Sequence, residues 1–147
     1  VAFYEALNPE FSVYANQIVN NTRELGKSLK EKGLRLVSDG TDTHMILVDT
    51  RGLSITGAEA EKCLKDVGII VNKNTIPFDQ KSPMVTSGIR IGTAALTTRG
   101  FIEKDMRCIG DLISRALNSR GDKQTKNKIF INVKECAESF PLPGIDK

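Results

Sequence analysis

One arginine in this chain stands in the middle of a strand-like pentapeptide, Gly88-Ile89-Arg90-Ile91-Gly92, directly after a polar loop punctuated by two prolines. A strand's period of two sends Ile89 and Ile91 to one face and Arg90, with both glycines, to the other. Glycines weaken a strand unless something must approach its backbone, and a planar guanidinium suits a two-pronged grip on a carboxylate or phosphate. The pattern admits two readings. Arg90 is an anion site in a cleared notch, or it is a surface arginine in an ordinary ion pair on a strand bent at its glycines.

The elements around this arginine follow from periodicity. Val1 to Leu7 reads as the tail of a helix, and the absence of an initiator methionine suggests a piece of a longer protein. Asn8 is placed to cap a second helix with Pro9 in its first turn, and Phe11, Tyr14, Ile18, Thr22, Leu25 and Leu29 recur at helical spacing until Gly33. Residues 34–38 and 45–49 read as a hairpin around the turn-rich Asp39-Gly40-Thr41-Asp42. Thr56 and Glu59 have capping-box spacing for a short helix ended by Gly68, and Ile69 to Val71 reads as a third strand. The segment from Asn72 to Ser87 is long for a plain connector. Beyond Arg90, helices are expected from about Ile102 to Asn118, with a break at residues 119–122, and from about Thr125 to Ser139, stopped by Pro141 and Pro143. The order predicts one α+β domain, a small and mainly antiparallel sheet with helices on one face.

Composition narrows the function classes. The 147 residues are 39% hydrophobic and 27% charged with a net charge of +3, as expected of a globular domain about one core in size. Basic residues are dispersed, so nucleic acid is not an expected partner; Lys123, Lys126, Lys128 and Lys134 read as the solvated face of the last helix. No apolar run approaches the ~20 residues a membrane span requires, so no membrane partner is expected. Cys63, Cys108 and Cys136 fall in amphipathic patterns and read as buried free thiols of a reducing compartment, which makes the cytoplasm the default location. With one histidine and no paired cysteines, no metal site is expected.

The run Val71-Asn72-Lys73-Asn74, Ile76-Pro77, Ser82-Pro83, Val85 to Thr93 and Leu96 to Phe101 resembles the C-terminal region of serine hydroxymethyltransferases, also called glycine hydroxymethyltransferases. The similarity reaches back through Thr41-Asp42 and His44 to Pro9-Glu10-Phe11 and forward to about Leu117, and is loose over the last thirty or so residues. The resemblance implies the small C-terminal domain of a fold-type I enzyme over residues 1–147, without the large domain that holds pyridoxal phosphate. It implies interconversion of serine and glycine with tetrahydrofolate as the one-carbon carrier, in a homodimeric parent.

The same resemblance assigns residues. Arg90 matches the family's arginine for the substrate carboxylate. Asn74 matches an asparagine near the pterin, and Ser82, Pro83 and Met84 match a folate-contacting stretch. Met84 stands where the family generally has phenylalanine; Asp39, Thr43 and Ala94 also depart from the common pattern, away from the chemistry. By residue type alone, Asn74 is equally a turn-capping amide, Met84 a loop anchor and His44 a structural group. Arg99 adds positive potential near the site or is a solvated arginine at a helix start. The family's cofactor lysine follows a histidine in a threonine-rich segment; Thr41-Asp42-Thr43-His44 is followed by Met45, so no catalytic residue is expected here and these residues alone are expected to be inactive. The reading from another class is a stand-alone α+β module that binds a carboxylate at Arg90 or regulates, without catalysis.

Overall fold

The computed structural model describes residues 1–119 and 122–144. Its elements in chain order are α1 (Ala2–Ala6), α2 (Pro9–Glu31), β1 (Arg35–Leu36), β2 (Met45–Asp49), α3 (Gly57–Lys65), β3 (Asn72–Asn74), β4 (Gly88–Gly92), α4 (Ala94–Thr98), α5 (Glu103–Asn118) and α6 (Lys123–Glu138), with single 3-10 turns at Val37–Asp39 and Arg51–Leu53. The strands form one sheet in the order β1-β2-β4-β3 with every pair antiparallel. This is the expected α+β architecture.

Alternation along the strands decides which face is covered. Leu36, Ile46, Val48, Ile89 and Ile91 are buried among Leu25 and Leu29 of α2, Leu64 of α3 and Met106 and Ile113 of α5. Burying each such aliphatic side chain contributes about 1.5–3 kcal/mol, so this layer dominates the stability of the sheet. Among the described residues, the opposite face, carrying Arg35, Met45, Leu47, Asn72, Asn74 and Arg90, is backed by no helix packed in that core.

Helices α2 and α3 end at Gly33 and Gly68, both with positive φ, and Leu34 and Ile69 turn back to donate their N–H groups to Leu29 and Leu64. Those reversals deliver the chain to the sheet. The Thr56–Glu59 capping box is formed in full, with Glu59 N–H donating to Thr56 Oγ1 and Glu59 Oε2 accepting from Thr56 N–H at 2.7 Å. A buried polar cluster fixes the far end of β4. Asn21 of α2 donates to Thr97 Oγ1 and to the Phe101 carbonyl at 2.9 and 2.8 Å, while the Thr22 and Thr93 hydroxyls lie 2.6 Å apart.

Several local expectations are corrected. The first strand is only Arg35–Leu36, because the backbone enters a 3-10 turn in which Ser38 and Asp39 take positive φ. The third strand is Asn72–Asn74 and not Ile69–Val71; Val71 and Ile69 pack into the core as the chain leaves α3, and laddering begins only where Asn72 comes opposite Arg90. Helix α4 was not legible, since Ala94–Thr98 is a five-residue turn too short to show a helical period, although Ala94-Ala95-Leu96 favour a helix, and it is held in place by the Asn21 bond to Thr97. Asn8 occupies the cap position of α2 with no side-chain cap bond. The cysteines are free but not buried: Cys108 is exposed and Cys63 and Cys136 are half-buried. The expected break at residues 119–122 falls partly on Arg120 and Gly121, outside the described residues.

Candidate functional site

Arg90 sits at the centre of the uncovered face, with Leu47 of β2 and Asn72 of β3 as its cross-strand partners. It is exposed, whereas Ile89 and Ile91 beside it are 0% and 5% accessible, so the alternation expected of the pentapeptide is present. Among the described arginines, Arg23, Arg35, Arg51, Arg107 and Arg115 pair with carboxylates and Arg99 with backbone carbonyls, whereas Arg90 has neither an ion pair nor a side-chain hydrogen bond. The ordinary-ion-pair reading is therefore overturned.

The reason lies two residues along β2. Asp49 shares the open face and is opposite Gly88, diagonal to Arg90, but its carboxylate is already committed. Arg51 approaches it with Nε and Nη2 at 3.0 and 2.8 Å, and Arg35 Nη1 adds a third contact at 2.8 Å. The Arg51 hydrogen bonds outweigh burial and hold the Asp49 carboxyl below its ordinary range. A saturated carboxylate leaves Arg90 with its fork of donors unspent.

Arg90 lines a cavity of about 280 Å³ together with Asn74, Leu47, Met45, Ser38 and Thr43. Asn74 donates its Nδ2 to the Thr75 carbonyl at 2.8 Å, the turn-capping role its residue type suggested, while facing the same cavity. Ser82, Pro83 and Met84 do not line it. They form an exposed turn, with Met84 76% accessible, in which the Ser82 carbonyl accepts from Val85 and Thr86 N–H at 3.0 and 2.9 Å. His44 is exposed and Thr93 N–H donates to its carbonyl. Arg99 is not a solvated arginine at a helix start: its guanidinium donates to the carbonyls of Ala137 and Phe140 and so caps the end of α6, and it does not line the Arg90 cavity.

Of the two glycines flanking Arg90, only Gly88 is sterically constrained. A Cβ on Gly92 would meet only the His44 carbonyl oxygen at 3.5 Å, an ordinary contact, but one on Gly88 would lie 2.6 Å from Ile76 Cγ2 and 2.9 Å from the Val48 oxygen. Gly88 is therefore required by close packing of three segments and not by a ligand.

Two determinants escaped the sequence reading. Asp79 accepts from Ile76 and Ser87 N–H through Oδ2, at 3.2 and 2.9 Å, and from Lys81 N–H and the Ser87 hydroxyl through Oδ1, at 2.9 and 2.6 Å. The Ser87 hydroxyl leads the donors that lower its pKa from 3.8 to about 2. Gly57, the first residue of α3, donates to the Thr86 carbonyl at 3.0 Å, and Ala58 donates to Val85, so the helix N-terminus docks onto the loop. An aspartate followed by a charged or polar run is the sequence signal of a side chain that hydrogen-bonds back to its own loop, and Asp79-Gln80-Lys81 carries it.

A helix-backed antiparallel sheet with an unpaired guanidinium on its open face defines an α+β domain able to grip a small carboxylate or phosphate against the strands. Residues 1–113 match the model of the family described as serine hydroxymethyltransferase, and the chain belongs to that family. It is 48% identical over 146 residues to a serine hydroxymethyltransferase of Rippkaea orientalis, and 51% identical over 142 residues to one of Myxococcus xanthus, alignments that cover 99% and 97% of the chain. The chain spans 34% of the length of each of these relatives.

Proposed function

We propose that this chain is the C-terminal small domain of an enzyme that interconverts serine and glycine with tetrahydrofolate as the one-carbon carrier, and that Arg90 binds the amino-acid carboxylate. The observation that carries the reading is the free guanidinium: in a chain whose other described arginines are all partnered, Arg90 alone is left facing a cavity, beside Asn74. A carboxylate arriving there meets two parallel N–H donors at fixed spacing, which orients the bound amino acid as well as holding it. Asn74, Ser82, Pro83 and Met84 make up the folate-side wall in this reading, with a thioether at Met84 packing against an aromatic ring.

Pyridoxal phosphate is the cofactor that the family implies, and it supplies the electron sink for breaking a bond at the amino acid's α-carbon. Among the described residues, those around Arg90 do not make a site for it in this reading. No lysine lines the Arg90 cavity, and in this reading the cofactor lysine and its phosphate loops belong to the part of the parent enzyme outside this chain. The contribution of this domain is to hold and orient the carboxylate. The parent is a homodimer in the cytoplasm in this reading.

The test is Arg90→Ala and Arg90→Lys in the full-length polypeptide. A charge-assisted hydrogen bond is worth about 1.5–3 kcal/mol, so serine binding weakens by one to two powers of ten or more in Arg90→Ala. Lysine, a point charge, restores little of it. Melting temperature and cofactor absorbance stay near wild type, because Arg90 has no ion pair or side-chain hydrogen bond among the described residues. Normal serine turnover in Arg90→Ala, or a melting temperature many degrees lower, would make Arg90 a structural residue.

A further inference from the structure

The loop between β3 and β4 carries Ser82, Pro83 and Met84, yet beyond its two prolines little packing holds it: Pro77, Phe78, Gln80, Lys81, Ser82, Pro83 and Met84 are all accessible. Phe78 is 92% accessible with φ +57, and Thr86 is buried with φ +58, a conformation that a β-branched residue adopts only when its surroundings impose it. Something must hold this loop in one shape. Two devices do so. At its C-terminal end the carbonyls of Val85 and Thr86 are taken by the first N–H groups of α3. Across the rest, the four bonds to Asp79 join the beginning of the loop at Ile76, its middle at Lys81 and its end at Ser87.

From this geometry we infer that Asp79 is the positioning residue of the folate wall: it clamps the 75–87 loop so that Ser82–Met84 are presented in one place, without itself touching ligand. The inference rests on the folate reading of that turn. It separates the two ligands, because Arg90 is registered independently by ladders to β2 and β3 on either side. Loss of the clamp therefore loosens the folate side and leaves the carboxylate side in place. An ionised carboxylate is needed for the role, since all four partners are donors and a carboxamide offers only one accepting oxygen.

Asp79→Asn and Ser87→Ala, with wild type, form the experiment in the full-length polypeptide. Amide hydrogen exchange is read over residues 76–87, and tetrahydrofolate and serine affinities are measured separately. Asp79→Asn is expected to speed exchange in the loop by about tenfold or more, with α2 and α5 unchanged, and to weaken tetrahydrofolate about tenfold while serine shifts by less than about threefold. Ser87→Ala, which removes one of the four donors, should fall between. Unchanged loop exchange in Asp79→Asn overturns the clamp. Faster exchange with equal losses for both ligands overturns selective positioning and leaves Asp79 a general stability residue. If wild type binds no tetrahydrofolate, the folate reading fails and takes the ligand half of the inference with it, while the exchange result still judges the clamp.

Discussion

Replacing Gly57 by alanine sets a local preference against a tertiary contact, and the two make opposite predictions. Alanine is favoured over glycine in a helix interior by roughly 0.8–1 kcal/mol, an upper limit at the first helical position that Gly57 holds, and its backbone needs no positive φ, so propensity alone predicts a domain at least as stable. The added Cβ, however, would lie 2.0 Å from Thr86 Oγ1 and 2.3 Å from the Gly88 carbonyl oxygen. A normal carbon–oxygen contact is about 3.4 Å, so the start of β4 or of α3 must shift by about 1 Å. Neither neighbour is a flexible side-chain tip: Thr86 is buried at 2% accessibility with positive φ, and Gly88 is laddered on both sides. Overpacking of this kind costs about 1–3 kcal/mol, and the Gly57–Thr86 and Ala58–Val85 hydrogen bonds are stretched by the same movement, at about 1 kcal/mol each. Set against the gain in propensity, Gly57→Ala should lose about 2–4 kcal/mol. For a domain of this size that lowers the melting temperature by roughly 5–15 °C, measured by thermal denaturation followed by far-ultraviolet circular dichroism. Exchange of loop amides 82–87 should accelerate in the same variant. A melting temperature equal to or above wild type would mean instead that helix propensity outweighs the contact with the loop.

Two further outcomes are expected. Met84→Phe in the full-length polypeptide, which restores the residue common in the family, should leave the melting temperature within a few degrees of wild type because Met84 is 76% accessible, and should change tetrahydrofolate affinity more than serine affinity; equal changes would place Met84 outside the folate wall. Acid should loosen the 75–87 loop late. The folded-state pKa of Asp79 is lowered from 3.8 to about 2, so the stability it contributes is complete above about pH 5 and is lost progressively as pH falls from there through about 2. Asp79→Asn should flatten that part of the pH–stability curve, and a curve identical to wild type would remove Asp79 as its source.

Much of the architecture was legible because short-range physics carries it. The Gly33 and Gly68 helix ends, the Thr56–Glu59 capping box and the in-and-out alternation of Ile89, Arg90 and Ile91 depend on neighbours within a few residues, and each is present as the spacing required. The lone arginine between glycines was also visible in the chain, as was the motif around it that places the chain in its family. What the chain could not disclose is which of its charges are already spent. Asp49 is consumed by Arg51, two residues along the same chain, and by Arg35, which the antiparallel register brings opposite it, and only the folded pairing shows that together they leave Arg90 free. The same holds for Gly57 and Gly88, whose missing side chains matter only because α3, Ile76 and β2 converge on them across tens of residues. Arg99 turned from a candidate for the site into the cap of α6 for the same reason, since its carbonyl partners lie about forty residues away. Local pattern determined the elements and the residue facing outward; long-range pairing decided which donors remained unsatisfied, and an unsatisfied donor in a cavity is what a ligand can use.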